Sequence, residues 1–295
     1  MQVVDSIADL RRVRKTLKGT VGLVPTMGAL HAGHLSLVNA AREDNDALIA
    51  TIFVNPTQFA PDEDLQSYPR DLPNDLSRLE QAGVDVVFTP TPTIMYPHGF
   101  QTTITVEHVT KGLEGSHRPG HFQGVTTVVA KLFNLAQPDR AYFGQKDAQQ
   151  VVVLRRMVAD LNFSLDIVVC PTTREADGLA MSSRNAYLTA QERQAATVLN
   201  RALSLAGEAY TNGERDPEAL RTIIRDTISQ EPLANVDYIS IADAKTLEEA
   251  HHSSESPLLL SLTVQIGKPR LLDNRVLPLA LNTRDGLTKT LGFVS

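Results

Sequence analysis

Two kinds of hydrophobic pattern alternate along the first part of the chain. Almost continuous apolar runs predict buried strands at residues 20–25, 47–54, 84–89, 140–144 and 165–170. Between these runs, apolar residues recur with helical spacing and predict helices at residues 33–43, 72–82, 121–136 and 147–162. Buried strands that alternate with helices are typical of a parallel sheet covered on both faces. We therefore predict a doubly wound α/β fold, in which ligands bind beyond the carboxyl ends of the strands.

The pattern changes after about residue 173. Helical spacing continues at residues 189–209 and 217–229, and strand-like runs follow at residues 236–242, 257–264 and 270–277. Helices followed by strands are typical of an α+β arrangement. We predict a first domain at residues 1–173 and a smaller C-terminal α+β lid domain at residues 174–280. Residues 281–295 are polar without a clear period, so we expect a loosely attached tail there.

Composition narrows the classes of function. The net charge of −6, from 28 basic and 34 acidic residues, provides no global positive field for nucleic acid. The single cysteine excludes an internal disulfide and is typical of a reducing cytoplasm. No stretch approaches the ~18 consecutive apolar residues of a membrane span, and the N-terminus lacks the apolar core of a signal peptide. We expect a cytoplasmic protein that binds neither nucleic acid nor a membrane.

The segment after the first predicted strand, residues 25–34, combines glycines with two histidines. It leads into a predicted helix, whose N-terminus offers unpaired N–H groups to a phosphate. His31 and His34 are three positions apart and would lie on one side of the first helical turn. The segment favours a phosphate site, although an ordinary turn and a zinc pair are alternatives. Zinc is less favoured than phosphate, because the chain has one cysteine and no neat third ligand nearby.

Polar side chains also follow the second strand and precede the helix at residues 121–136. Asn55 and Gln58 come directly after the second strand, where their amides could fix a small substrate or simply end the strand. Arg118 lies in a bend and could hold a carboxylate, or it could belong to an ordinary loop before the helix.

Two later segments carry groups suited to phosphate. Lys146 follows the fourth strand as a mobile point charge, and Gln150 would face the same way one turn later. Ser182, Ser183 and Arg184 could wrap the β- and γ-phosphates of a nucleotide, or form the N-cap of a helix. Neither the glycine pattern of dinucleotide-binding folds nor that of the P-loop occurs in the sequence, so any nucleotide site is of another kind.

Taken in order, these segments resemble the pantothenate synthetase family of the HIGH-type nucleotidyltransferase superfamily. The matching segments are PTMGALHAGH at 25–34, FVNPTQF at 53–59, YPRDLPNDL at 68–76, residues 114–125, FGQKD at 143–147 and READGLAMSSRN at 174–185. The first resembles the HIGH motif, and MSSR occupies the place of the mobile KMSKS-like loop. Six segments in one order make the resemblance specific, and it covers about residues 3–277.

The resemblance implies a Rossmann-like first domain and an ATP-dependent ligase. Such an enzyme condenses (R)-pantoate with β-alanine to pantothenate through a pantoyl-adenylate, and it releases AMP and pyrophosphate. The family also implies Mg²⁺ with the ATP and a homodimer. The nearest alternative is a related nucleotidyltransferase that acts on a phosphate ester, for which more basic residues would be expected at Gln58 and Gln150. A nucleotide-binding regulatory module is a second alternative, but it would need no such set of histidine, lysine and serine residues.

The resemblance further assigns roles to individual residues. The catalytic residues would be His34 as proton donor, His31, Lys146, Ser182, Ser183 and Arg184. The ATP site would comprise Met27, Gly28, Ala29, Leu30, His31, Ala32, Gly33, His34, Gly144, Gln145, Lys146, Asp147, Thr173, Met181, Ser182, Ser183 and Arg184. Gln58 and Gln150 would bind pantoate, and Gln58 would later contact β-alanine. Asp75 would be an outer-shell partner of Mg²⁺, and no side chain is assigned as a direct metal ligand.

Overall fold

The described part of the chain forms two separate sheets. The computed structural model describes residues 1–61 and 63–291. The chain divides into two compact units, of which one comprises Met1–Phe143 and Val153–Cys170. The other comprises Gly144–Val152 and the described part of Pro171–Ser295. The domain boundary predicted between residues 173 and 174 stays a prediction, because a compact unit is not by itself a domain that folds alone.

Six strands form the larger sheet. They are β1 (Gln2–Val4), β2 (Val21–Thr26), β3 (Ala47–Ile52), β4 (Val86–Phe88), β5 (Arg140–Gly144) and β6 (Asp166–Cys170). Their spatial order is β1-β4-β3-β2-β5-β6, and the pairs from β1 to β5 are parallel. Leu23, Val24, Leu48 and Ile49 are fully buried, as expected for strands covered on both faces. The predicted doubly wound, Rossmann-like α/β fold is confirmed, although the hydrophobic pattern did not predict the short strand β1.

Helices connect these strands close to the predicted positions. They are α1 (Ile7–Arg14), α2 (Ala32–Asp44), α3 (Leu72–Gln81), α4 (Pro92–Met95), α5 (Glu114–His117), α6 (His121–Ala136) and α7 (Ala148–Asp160). Helix α6 has the predicted bounds, because Gly120 before it and Gln137 after it adopt left-handed backbone angles that interrupt regular helix. Helices α2, α3 and α7 differ from the prediction by one or two residues at their ends.

The strand order reverses beside β2. From β2 the chain continues to β3 and β4 on one side, and it later returns to β5 and β6 on the other side. Gly22 of β2 pairs with Arg140 of β5 at this reversal. Ligands of doubly wound sheets bind at the carboxyl ends of strands beside such a reversal. Strand β2 ends at Thr26, so the loop of residues 27–31 lies at the expected edge of the sheet.

Helices and antiparallel strands build the second unit. They are α8 (Ala190–Ala195), α9 (Val198–Thr211), α10 (Pro217–Ser229), β7 (Asn235–Asp243), β8 (Leu258–Gln265) and β9 (Arg270–Leu277). The strands pair antiparallel in the order β7-β8-β9. Leu199, Leu203, Ile224 and Leu260 belong to one core cluster and are almost completely buried. The predicted smaller α+β arrangement is therefore confirmed.

The helix predicted at residues 189–209 is interrupted. Helix α8 ends at Ala195 and α9 begins at Val198. Between them, the amide of Thr197 donates to the carbonyl of Gln194 three residues earlier, and the Thr197 hydroxyl donates to the same carbonyl. Threonine side chains compete with helical hydrogen bonds in this way, which explains why a continuous hydrophobic period does not give one continuous helix.

The expectation of a loose tail is wrong for residues 281–291. Helix α11 (Arg284–Thr290) follows a short 3₁₀ turn (Leu279–Leu281). Leu287 and Leu291 are almost completely buried. The side-chain amide of Asn282 accepts from the Val276 amide at 3.2 Å and donates to the Val276 carbonyl at 2.6 Å. Two leucines four positions apart were too short a hydrophobic signal to predict this helix. Residues 292–295 of the predicted tail lie outside the described part of the chain.

Replacement of a buried tail residue tests this attachment. Leu287→Ala should lower the free energy of unfolding by about 2–5 kcal/mol, because it leaves a cavity in a packed site. Leu279→Ala is the matched control, since Leu279 is 36% exposed and should lose less than about 1 kcal/mol. Urea unfolding of both variants measures the difference. Equal losses would show that α11 does not contribute to the stability of the fold.

Candidate active site

A buried carboxylate holds the loop that follows β2. Gly28 and Ala29 both have positive φ angles, of 82° and 51°. This conformation is unfavourable for alanine, so surrounding contacts must hold it. Asp75, which is 1% exposed, accepts the amide of Ala29 at 2.9 Å and the amide of Leu30 at 2.8 Å, one on each carboxylate oxygen. Asp75 therefore fixes the loop, and its predicted part in an outer shell around Mg²⁺ stays a prediction.

The two histidines of the motif cap helix α2. Nδ1 of His31 accepts from the Gly33 amide at 3.2 Å, and Nδ1 of His34 accepts from the His31 amide at 3.3 Å. The ring centroids lie 4.0 Å apart. A ring nitrogen that accepts carries no proton, so in each neutral ring the proton is on Nε2. Each histidine consequently presents an Nε2–H donor next to the helix N-terminus, which is an arrangement suited to phosphoryl oxygens.

Gln58 is held beside this loop in the first unit. It ends a 3₁₀ turn (Pro56–Gln58) that follows β3. Its Oε1 accepts from Asn55 Nδ2 at 3.1 Å, and its Nε2 lies 3.4 Å from the Met27 sulfur as donor. Asn55 is 1% exposed and also accepts from the Tyr96 hydroxyl at 2.8 Å. The structure therefore brings two predicted site residues, Met27 and Gln58, into contact.

Arg118 holds a carboxylate that belongs to the chain itself. Its guanidinium donates from Nε and Nη2 to the two oxygens of Glu63, at 2.8 and 2.6 Å. Its Nη1 lies 3.1 Å from Nε2 of His121, which is 8% exposed. Burial, together with the charge of Arg118, lowers the pKa of His121 to about 4. Sequence reasoning assigned no role to His121, although its place three residues after Arg118 could have suggested the contact.

Strand β9 anchors the segment that contains Lys146 in the second unit. The side-chain amide of Asn274 donates to the carbonyl oxygens of Gln145 at 3.0 Å and Lys146 at 2.8 Å. The Gln145 side chain donates to Asn282 Oδ1 at 2.9 Å. Asn274 is 2% exposed. Sequence reasoning missed both asparagines, because contacts across more than a hundred residues leave no local pattern.

The MSSR segment continues from a turn that a buried ion pair holds. Arg174 donates to both carboxylate oxygens of Asp273, at 2.6 and 2.9 Å, and to the carbonyl of Gly178 at 3.1 Å. The Met181 amide donates to the Thr173 carbonyl at 3.0 Å, which joins two predicted ATP-site residues.

Ser182 is the N-cap of a 3₁₀ helix (Ser183–Tyr187), and its hydroxyl accepts from the Arg184 amide at 3.3 Å. The alternative of an N-cap therefore describes this serine correctly. A serine that caps a helix can also contact a phosphate, so the N-cap does not exclude the predicted contact of Ser182 with ATP.

The predicted site residues thus form two sets. The first unit carries Met27 to His34 and Gln58, whereas the second carries Gly144 to Asp147, Gln150, Thr173 and Met181 to Arg184. Within the described residues no group of three or more histidine, cysteine, aspartate or glutamate side chains is arranged to hold a metal ion. No helix in that part of the chain is long and apolar enough to cross a membrane.

A doubly wound sheet whose strand β2 leads into a histidine-capped helix is the arrangement that the resemblance to HIGH-type nucleotidyltransferases led us to expect. The family model described as Pantoate-beta-alanine ligase matches residues 2–276, and the chain belongs to this family. The pantothenate synthetase of Roseiflexus sp. (strain RS-1) is 58% identical over 277 residues, which cover 94% of this chain and 99% of the relative. That of Herpetosiphon aurantiacus is 56% identical, with coverages of 94% and 100%.

Solved structures agree with this assignment. The pantothenate synthetase from Thermus thermophilus matches with a TM-score of 0.88 and 46% identity, covering 93% of this chain and 98% of that chain. The pantoate-beta-alanine ligase from Francisella tularensis, complexed with beta-gamma ATP and β-alanine, matches with a TM-score of 0.76 and 36% identity, covering 93% and 97%. The resemblance stated from the sequence is confirmed.

The role of Asp75 can be tested with an isosteric change. Asp75→Asn replaces one accepting oxygen with an NH₂ group, which leaves the amide of Ala29 or Leu30 unpaired. We expect the free energy of unfolding to fall by about 2 kcal/mol. Asp71→Asn is the control on the same helix, because asparagine caps a helix as well as aspartate does. Chemical denaturation of the two variants checks this, and equal stabilities would contradict the role of Asp75.

Proposed function

We propose that this chain condenses (R)-pantoate with β-alanine to pantothenate through a pantoyl-adenylate, with release of AMP and pyrophosphate from ATP. The observation that carries the proposal is the family match over residues 2–276. The complex of the Francisella tularensis relative with beta-gamma ATP and β-alanine supports the same pair of ligands here.

The reaction needs activation of a carboxylate, which is a poor acylating agent. One carboxylate oxygen of pantoate attacks the α-phosphorus of ATP, and pyrophosphate leaves. The amine of β-alanine then attacks the acyl carbon, and AMP leaves with the former carboxylate oxygen. The protein contributes orientation and neutralisation of charge rather than a covalent intermediate. It must also exclude water, because the acyl-adenylate is prone to hydrolysis.

Each of the two sets of residues has its own role in the proposed reaction. In the first unit, the Nε2–H groups of His34 and His31 donate to phosphoryl oxygens, and the amides at the start of α2 add their partial positive charge. In the second unit, Lys146 and Arg184 neutralise phosphate charge, and Ser182 and Ser183 donate hydrogen bonds. The remaining proposed contacts to ATP come from Met27, Gly28, Ala29, Leu30, Ala32, Gly33, Gly144, Gln145, Asp147, Thr173 and Met181.

Gln58 and Gln150 bind pantoate in this proposal, and Gln58 later contacts β-alanine. The partners of the Gln58 side chain, Asn55 and Met27, are uncharged. This supports a hydroxy acid as acceptor over the phosphate ester of the alternative nucleotidyltransferase, because a phosphate ester would call for basic side chains.

Mg²⁺ would accompany ATP in this proposal and would supply neutralisation of charge on the phosphates. Mg²⁺ usually binds to substrate phosphates and water with few protein ligands. Both oxygens of Asp75 accept main-chain amides, so Asp75 would act on the ion only through water. The homodimer and the cytoplasmic location are likewise proposals, supported by the family and by the single, buried Cys170.

The route through an adenylate can be followed with labelled oxygen. Pantoate labelled in its carboxylate should transfer one labelled oxygen to AMP, because that oxygen forms the bond to the α-phosphorus. Mass spectrometry of the nucleotide product measures the transfer. Label in inorganic phosphate, with ADP as the product, would show an acyl phosphate route and contradict the proposal.

Two substitutions test the proposed catalytic sets separately. His34→Ala and Lys146→Ala should each slow ATP–pyrophosphate exchange in the presence of pantoate by roughly a hundredfold, or ~3 kcal/mol, since each removes one donor to the transition state. His98→Ala and Lys268→Ala, at exposed positions in the same units, are the matched controls. Folded variants of His34 and Lys146 with nearly full exchange activity would show that the site is elsewhere.

A further inference from the structure

A chain of hydrogen bonds connects Glu63, Arg118 and His121 to the main chain of Gln58. The carboxylate of Glu63 accepts from two nitrogens of Arg118, and the third nitrogen of Arg118 lies 3.1 Å from Nε2 of His121. Nδ1 of His121 lies 2.8 Å from the carbonyl oxygen of Gln58. All four residues belong to the first unit. The chain therefore ends on the main chain of the residue that is proposed to bind pantoate.

The chemistry of the partners fixes the direction of these hydrogen bonds. A guanidinium has no acceptor, so Arg118 donates to His121 and Nε2 of the imidazole accepts. The Gln58 carbonyl can only accept, so Nδ1 of His121 carries the proton and donates. Both requirements select one neutral tautomer, with hydrogen on Nδ1. His121 therefore carries its hydrogen on Nδ1, whereas neutral His31 and His34 carry theirs on Nε2. The role of His121 consequently differs from theirs.

The surroundings of His121 favour this neutral form. Burial lowers the pKa of His121 to about 4, and Arg118 adds to the shift, whereas the hydrogen bond to the Gln58 carbonyl and the charges of Glu63 and Glu114 oppose it. A protonated ring would place an Nε2–H against the guanidinium of Arg118. At neutral pH, His121 is therefore a fixed hydrogen-bond donor, and it is not a proton carrier.

Close packing also restricts the 3₁₀ turn that contains Gln58 (Pro56–Gln58). A Cβ atom at Gly124 would lie 2.4 Å from the Thr57 carbonyl oxygen, so helix α6 contacts the main chain of the turn directly. Pro56 at the start of the turn has a fixed φ angle. Within these limits, the hydrogen bond from His121 sets the orientation of the last peptide unit, from which the Gln58 side chain extends.

We propose that His121 is a positioning residue for pantoate, which acts by fixing the Gln58 carbonyl and thereby the direction of the Gln58 side chain. This inference rests on the proposed function, in which Gln58 binds pantoate. His121 itself contacts no substrate in this scheme. Its loss should affect pantoate binding, and it should leave ATP binding nearly unchanged.

Three substitutions at His121 separate its two hydrogen bonds. His121→Asn places an amide nitrogen near the position of Nδ1 and keeps the donor to Gln58. His121→Gln reaches toward the position of Nε2 and keeps an acceptor for Arg118. His121→Ala loses both bonds. His117→Ala, at an exposed position in the neighbouring helix α5, is the control.

The measurement is the KM for pantoate and the KM for ATP in pyrophosphate exchange, together with thermal unfolding of each variant. His121→Ala and His121→Gln should raise the KM for pantoate about tenfold, as expected for the loss of one hydrogen bond. His121→Asn should restore most of the affinity, and the KM for ATP should change less than about twofold in all variants. If His121→Ala fails to fold, the comparison of His121→Asn with His121→Gln carries the test.

Two outcomes would overturn the proposal. One is a His121→Asn variant no better than His121→Gln for pantoate, and the other is a KM for ATP that rises as much as the KM for pantoate. Gln58→Leu separates this failure from that of the proposed function. If Gln58→Leu leaves the KM for pantoate unchanged, Gln58 does not bind pantoate. The pantoate-binding role of Gln58 and the positioning role of His121 are then both rejected. If Gln58→Leu raises it and His121→Ala does not, the role of His121 alone is rejected.

Discussion

The hydrogen bonds from the amides of Ala29 and Leu30 to Asp75 are the constraint on which the first part of the site depends. The loop between β2 and α2 needs two consecutive residues with positive φ, and the second of them is an alanine. A conformation of that kind persists only where its surroundings compensate for the strain. The charged acceptor supplies this compensation, and its burial keeps water from competing for the two amides. The start of α2, and with it the histidine pair, is placed by this contact.

In the second unit, buried polar contacts also hold segments of the proposed ATP site in place. Asp273 is 1% exposed and is bonded to Arg174 through two hydrogen bonds. Such pairs contribute little net stability, because removing two charges from water costs about as much as their attraction returns. The value of this pair lies in geometry, since loss of Arg174 would leave the buried carboxylate of Asp273 unpaired. The neighbouring Asn274 holds the carbonyl oxygens of Gln145 and Lys146, so adjacent residues of β9 fix two segments of the proposed ATP site.

Local patterns in the sequence predicted most of the elements, because the periods of strands and helices are visible in neighbouring residues. The doubly wound sheet and the bounds of α6, α10, β5 and β9 followed from such patterns. The break between α8 and α9 did not, since it depends on the hydroxyl of Thr197. The motifs also identified Gln58 and the histidine pair through a family resemblance. The contacts of Asp75 with the loop before α2 and of Asn274 with Lys146 were not predicted, because Asp75 lies 45 residues from Leu30 in the chain and Asn274 lies 128 from Lys146.

The histidine capping box of α2 has a consequence for how this site can change over time. In many enzymes the catalytic groups reduce stability, and their replacement makes the protein more robust at the expense of activity. Here the same imidazoles close the first turn of a helix through Nδ1 and present donors through Nε2. Alanine at either position would remove a side-chain cap together with a donor. Truncation of either imidazole would therefore lower stability as well as remove a donor, so it is not a route to a more stable but inactive protein.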